Sequence, residues 1–306
     1  MSSASSVLVI GSMALDDLHL PSGSFENVVG GAATFASVAA SLFAPAQVVG
    51  VVGHDFPEAT LGVLGARGID TTGVVRVPSG KTFKWVGKYA DNLGSRETLD
   101  TQLNVFADFS PHLPPAYKQT KLVLLGNIHP ALQLQVLGQL EPGAFVAADT
   151  MNFWISGERA LLLQLLPQLD LLTINDEELR ELSGLHNIRK AARKVLSMGP
   201  KRLIVKKGEH GALLFDGEKI SFVPAYPLEE ELDPTGAGDS FAGALLGRLS
   251  QLGKTDTAAL RDALVYATAV ASFNVEGVGM NRLLAVTSDD VAARIAEVRA
   301  LVQLGG

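Results

Sequence analysis

No cysteine occurs in the 306 residues, so disulfides, thiolate metal sites and thiol nucleophiles are all excluded. Aromatic residues are sparse at 6%, with two Trp and four Tyr. Positive charge is also short: 25 Lys and Arg stand against 32 Asp and Glu, a net charge of −7. No Lys/Arg cluster offsets that balance, so the sequence has no electrostatic footprint for nucleic acid. Long apolar runs are missing as well. The most apolar stretch, Leu161–Ile174, is interrupted by Gln164, Pro167, Gln168 and Asp170. It falls short of the roughly 20 apolar residues that span a bilayer. The opening Met1-Ser-Ser-Ala-Ser-Ser lacks a basic region, and Val7–Ile10 is too short for a signal segment. A soluble, cytoplasmic protein without membrane or nucleic-acid partners is expected.

What the chain does have is apolar content, at 47%, enough to bury a large core. Short apolar runs alternate with helical patterns. The spacing predicts strands at Val7–Ile10, Gln47–Val52, Lys121–Leu125, Ala144–Ala148, Leu171–Ile174, Arg202–Val205 and Ala212–Phe215. Helical periodicity appears at Ala32–Phe43, Pro57–Arg67, Ala131–Gln139, Glu158–Leu166, Asp176–Leu182, Ile188–Ser197, Asp239–Leu252, Asp256–Phe273 and Asp289–Leu301. This alternation implies an α/β fold, a doubly wound and mostly parallel sheet with helices on both faces. Asp16 and Asp17 follow the first strand, where a parallel sheet opens into its binding crevice. Phe25–Gly31 reads as a loop. From about Val74 to Pro115 the helical pattern lapses, and Phe83, Trp85 and Tyr89 recur with period two before a turn at Asp91–Gly94. That segment reads as a small antiparallel lid or dimerisation flap, its aromatic row either a packed sheet face or a stacking surface. One α/β domain over 1–306 is expected, with the lid built from insertions at about 14–29 and 74–115.

The densest chemical signal is Asp233-Pro-Thr-Gly-Ala-Gly-Asp239, running into an apolar helix. A Gly-rich turn at a helix start leaves backbone N–H groups unpaired beside the positive end of the helix dipole, which suits an anion. Asp239 would repel that anion. It is either an acidic N-cap or a base for a group that attacks the anion. Phe241 stands where a GxGxxG fingerprint needs its third Gly, and Ala244-Leu245 stand where a P-loop needs Lys-Ser/Thr. No GxSxG elbow is present. Phosphoryl transfer fits, since it requires positioning and charge neutralisation. In this reading the N–H groups of Gly236–Gly238 hold the phosphoryl group and the helix N-terminus keeps Asp239 ionised. Magnesium would bridge the phosphates.

The segment Asp233–Asp239 resembles the second signature of the ribokinase/PfkB carbohydrate kinase family, and the resemblance extends along the chain. Gly11-Ser-Met-Ala-Leu-Asp16 resembles the family's first strand, and Gly30-Gly31-Ala-Ala-Thr-Phe35-Ala36 its Gly-Gly signature. Val52-Gly-His-Asp55 resembles its Gly-x-Asp segment. Asn175-Asp-Glu-Glu178 matches Asn-x-x-Glu, and Val205-Lys-Lys-Gly208-Glu-His-Gly211 its nucleotide-side loop. The resemblance implies an ATP-dependent kinase acting on a primary hydroxyl. Asp239 would be the general base and Gly236, Ala237 and Gly238 the anion hole. Asp16, Gly30 and Gly31 would hold the acceptor, with Asn152 as a further polar contact. Lys206, Gly208, Thr235, Asn274 and Gly277 would lie along ATP. Asn175 and Glu178 would organise Mg2+ through water, although the same pair also reads as a helix capping box. Asp233 and Thr235 fall where some members bind a monovalent cation such as K+.

Phe35 departs from the family pattern, which carries Asn there. Phe cannot hydrogen-bond a sugar and suits an apolar or base-bearing acceptor. The acceptor is therefore a sugar or a nucleoside, with a catalytically silent metabolite-binding protein as the alternative from another class, and an unrelated α/β hydrolase as a third. Family habit also implies a homodimer paired through the lid.

Overall fold

The computed structural model describes residues 5–303. From the N-terminus the chain forms β1 (Val7–Ile10), β2 (Ala14–Leu20), β3 (Gly23–Gly30), α1 (Ala32–Ser41), β4 (Ala46–Gly53), α2 (Glu58–Ala66) and β5 (Ile69–Val77). Next come β6 (Phe83–Tyr89), β7 (Arg96–Gln102), β8 (Leu122–Leu125), α3 (Pro130–Leu137), β9 (Phe145–Asp149), α4 (Asn152–Gly157) and α5 (Arg159–Leu165). Then follow β10 (Leu171–Asn175), α6 (Asp176–Ser183), α7 (Ile188–Leu196), β11 (Leu203–Lys206), β12 (Ala212–Asp216) and β13 (Lys219–Val223). Four helices close the chain: α8 (Ala237–Leu252), α9 (Thr257–Val275), α10 (Asn281–Ala285) and α11 (Ser288–Leu301).

Nine strands make one large sheet in the order β13-β12-β11-β10-β9-β8-β1-β4-β5. All pairings from β5 to β11 are parallel, and β12 and β13 add an antiparallel edge. Because side chains alternate along a strand, β1 sends Val7 and Val9 to one face and Leu8 and Ile10 to the other. The first face packs under α1, α8 and α9, and the second under α3, α5, α6 and α7. The doubly wound sheet expected from the alternation is observed.

The small sheet has the order β3-β2-β6-β7. Two boundaries differ from the sequence reading. Val74–Val77 continue β5, pairing in parallel with Gly50–Gly53, so the inserted sheet begins at Phe83. Phe25–Gly30 is not a loop but most of β3, paired antiparallel with β2. Its sequence, Gly-Ser-Phe-Glu-Asn-Val-Val-Gly, has no apolar alternation, because this strand sits largely in solvent and gets its ladder from a neighbour. Asp16 and Asp17 consequently lie within β2 rather than in a turn. A register shift between Asp16 and Leu18 accompanies Asp16 being buried while Asp17 is half-buried.

Helices α1 and α8 approach through their backbones. A methyl on Gly243 would overlap the Ala36 carbonyl, and one on Gly247 would lie 2.7 Å from the Ala40 carbonyl oxygen. Small residues one turn apart on both helices thus set the spacing. Gly243→Val is expected to destabilise the protein by about 2–3 kcal/mol through overpacking, read as a lower urea midpoint. An unchanged midpoint would mean the two helices are not in backbone contact.

Candidate active site

The carboxyl ends of β1, β9, β10 and β11 lie on one side of the large sheet, where the start of α8 and the small sheet meet them. The turn before α8 is braced from within. Asp233 is 0% exposed, and its carboxylate accepts the N–H of Thr235 at 2.9 Å and that of Gly279 at 2.8 Å. Asn274, also buried, donates to the Thr235 carbonyl at 2.8 Å and accepts from the Ser240 hydroxyl at 3.0 Å. Gly236 then takes a left-handed conformation, φ 76°, with the Phe35 ring so close beneath it that no side chain would fit. The Ala237 N–H bonds back to the Pro234 carbonyl at 3.2 Å. The N–H groups of Gly236, Gly238 and Asp239 make no hydrogen bond among the described residues. Of the expected anion hole, Gly236 and Gly238 therefore remain and Ala237 is engaged.

Lys206 ends β11 beside this turn. Its Nζ lies 2.7 Å from Asp149 Oδ2 at the end of β9, and 3.0 Å from where a Cβ on Gly238 would stand. Burial opposes the ammonium's charge, but Asp149, Glu178 and Asp239 together hold its pKa above the ordinary lysine value. The carboxyl groups show the opposite strain. Burial, reinforced by Asp149, pushes Asp239 up to about 7 against the pull of Lys206 and Arg96. Glu178 rises to about 7 for the same leading reasons. Asp16 rises to about 8, through burial and then Asp233, Asp17 and Asp239. The helix N-terminus thus does not hold Asp239 at an ordinary acidic value.

On the β2 side, Gly30 leaves room for the Asp16 carboxylate, which any side chain there would overlap. Asp17 is engaged elsewhere, with Lys84 at 2.7 Å and the Asn27 N–H at 2.8 Å. These two bonds outweigh burial and lower its pKa. Gly31, at φ 94°, lets α1 start against Ser12, whose carbonyl accepts the Ala33 N–H at 2.9 Å and whose hydroxyl accepts the Ala32 N–H at 3.1 Å.

Other expected residues are placed differently. Phe35 is 1% exposed and packs in the core under Gly236, so it presents no open face to an acceptor. Asn274 has its amide on the turn rather than towards a nucleotide. Gly277 lies against Arg282, Gly208 sits in an exposed left-handed turn at φ 52°, and Asn152 is exposed, its Oδ1 accepting the Phe153 N–H at 3.0 Å. Asn175 and Glu178 form the reciprocal capping box of α6, both bonds at 2.8 Å. Three residues were not read as site residues in the sequence. Asp149 is one, though an acid closing a buried strand is a usable signal. The others are Tyr89 and Arg96, brought in by the fold of the small sheet. The Tyr89 hydroxyl lies 2.8 Å from Thr235 Oγ1, and Arg96 contributes its charge to Asp239 and Glu178.

Residues 5–285 match the pfkB family carbohydrate kinases. The chain belongs to that family. A cytidine kinase of Thermococcus kodakarensis is 31% identical over 251 residues, 80% of this chain and 88% of the relative. A deoxyribokinase of Salmonella typhi is 29% identical over 258 residues, 82% of each chain. Among solved structures, a putative ribokinase II of E. coli in complex with ATP and Mg2+ superposes with a TM-score of 0.79 at 24% identity, covering 96% of this chain and 99% of that one. The PfkB member described here is thus a phosphotransferase with an alcohol acceptor. Its large sheet, helical layers and separate small sheet are those of the ribokinase fold.

Raised carboxyl pKa values carry a stability consequence. The folded protein holds protons on Asp16, Glu178 and Asp239 that the unfolded chain releases near pH 4, so stability falls as pH rises toward 8. Asp16→Asn is expected to raise Tm by roughly 2–4 °C at pH 8.5 and by less at pH 5. Equal shifts at both pH values in a thermal scan would contradict the assignment.

Proposed function

We propose that this kinase transfers the γ-phosphoryl group of ATP to a primary hydroxyl of a sugar or ribosyl-type acceptor, with Asp239 as the general base. The observation that carries the reading is the position of Asp239. It opens α8 beside the unpaired N–H groups of Gly236 and Gly238, within the field of Lys206, and its pKa near 7 suits a base working at neutral pH. In the step, the acceptor oxygen bonds to the γ-phosphorus, its proton passes to Asp239, and the bond to the ADP oxygen breaks. Gly236 and Gly238 N–H groups hold the phosphoryl oxygens, as electrostatic stabilisation requires. Asp16, turned inward beside Gly30 and Gly31, holds acceptor hydroxyls. Lys206 and Gly208 accompany the nucleotide phosphates.

A Mg2+ ion fits this donor set as a hydrated ion. No three His, Cys, Asp or Glu side chains among the described residues are arranged to chelate a metal. Glu178 and Asp149, which share Lys206 as a positive neighbour, would hold its water ligands, while Asn175 keeps its oxygen on the α6 cap. When bound, the ion supplies charge neutralisation between the phosphates.

The acceptor class divides between sugars and nucleosides. Burial of Phe35 removes the aromatic argument for a base-bearing acceptor, while likeness to a cytidine kinase supports one. The deciding experiment is ATP consumption across pentoses, hexoses and nucleosides, with Asp239→Asn as control. Wild-type turnover with one acceptor and a loss of at least roughly 10³-fold in the folded variant are expected. Near-normal turnover by the variant would remove Asp239 from the mechanism. No turnover with any acceptor would favour a silent metabolite-binding protein.

The exposed outer strand β7, with Leu99 turned to solvent, also supports pairing of two small sheets in a homodimer. Sedimentation at micromolar concentration is expected to give twice the mass of the chain; a monomer would contradict the pairing. No helix among the described residues is long and apolar enough to cross a membrane.

A further inference from the structure

Tyr89 is the last residue of β6, and its ring belongs to the small sheet's own apolar cluster with Leu18, Leu20 and Trp85. It is 6% exposed, so its hydroxyl needs a protein partner, which it finds in Thr235 Oγ1 at 2.8 Å. Among the described residues this is the one side-chain hydrogen bond between the small sheet and the turn before α8. Thr235 is a junction. Its N–H is held by Asp233 and its carbonyl by Asn274, so the core holds its backbone and the small sheet holds its side chain. The far end of the same segment is fixed too, since Asp55 accepts both the N–H and the hydroxyl of Thr82 at 2.7 Å. β6 is therefore anchored to the large sheet at its start and to the turn at its end.

We propose that Tyr89 is a positioning residue for phosphoryl transfer, tying the seating of the small sheet to the alignment of the turn that carries Gly236, Gly238 and Asp239. This rests on the phosphotransfer reading above. The physical reason is that the small sheet carries Asp16, which holds the acceptor, whereas the turn carries the base and the anion hole. A productive geometry needs both at once, and misplacement by about 1 Å lowers a rate steeply. The sheet also brings a charge with it. Arg96 faces Tyr89 across the β6–β7 ladder, with its guanidinium 5.7 Å from the centre of the Trp85 ring. Asp239 is then faced by Asp149 of β9, Lys206 of β11, Asp16 of β2 and Arg96 of β7. Of these, Arg96 and Asp16 move with the sheet.

The test is Tyr89→Phe, which keeps the ring and removes the hydroxyl, beside Thr235→Val and the double variant. Each single variant is expected to lower kcat roughly 10-fold with KM for ATP within about twofold, and the double variant to lose no more than either alone. The acid limb of the kcat profile should move to higher pH in Tyr89→Phe. Withdrawal of Arg96 makes Asp239 easier to protonate, and the base works unprotonated. Hydrogen exchange on the ligand-free protein gives an arm that needs no activity, with faster exchange expected at the bonded amides of Thr235, Ala237 and Ser240 as well as 83–89. Unchanged exchange at Thr235, Ala237 and Ser240 in Tyr89→Phe would overturn the proposal, as would additive losses in the double variant. If the wild-type protein phosphorylates no acceptor, the phosphotransfer reading fails, while the exchange arm still decides whether the sheet and the turn are coupled.

Discussion

Partial or full burial of several carboxyl groups beside one another is the constraint around which the site is arranged. Asp16, Asp149, Glu178 and Asp239 come from β2, β9, α6 and α8, and one ammonium, Lys206, sits among the last three. Burial and like charge both disfavour ionisation, so three of the four carboxyl groups rise toward neutrality. Nothing in the core requires such an arrangement. It is tolerated because the elements that carry it are fixed from elsewhere, by nine strands of sheet and two helical layers. In the proposed transfer the raised value of Asp239 becomes useful, because a carboxyl group near 7 can take up a proton at neutral pH.

The turn before α8 shows how that fixing is done. A Gly-rich loop holding unpaired N–H groups would be mobile by itself. Here Asp233 and Asn274 each make two hydrogen bonds that span the turn and its neighbours. Both side chains are wholly buried, and neither has to meet a ligand for its presence to be explained. Rigidity of the turn's backbone is thus built by polar groups in the core beneath it.

The turn was legible in the sequence because its determinants are local: Pro, Gly and Asp at fixed offsets specify a loop that opens a helix. The large sheet was legible for a similar reason, each strand being a short apolar run. The small sheet was less so. β3 carries no alternating pattern, and Val74–Val77 were separable from the insertion only through their pairing with Gly50–Gly53. Long-range partnerships were hidden altogether. Lys206 and Asp149 stand 57 residues apart, and Tyr89 and Thr235 stand 146 apart. Phe35 marks a subtler limit. Its place near the site was readable, but which way a helical side chain turns depends on how α1 packs, and here it turns under Gly236 rather than toward an acceptor.

The backbone contact between α1 and α8 has a consequence for how such an enzyme can change. Gly31 leads into α1 and Asp239 opens α8, and the two helices touch at Gly243 and Gly247 with no side chain between them. In the proposed transfer, the loop at Gly31 and Asp239 would therefore ride on one inflexible block. A new acceptor of different size is not readily accommodated by sliding these helices apart, because a bulkier residue at the contact would destabilise the fold. Drift in specificity is left to the parts outside the block: the small sheet and the loops that follow β8 and β9. Divergent substrates can accumulate around an invariant reaction geometry.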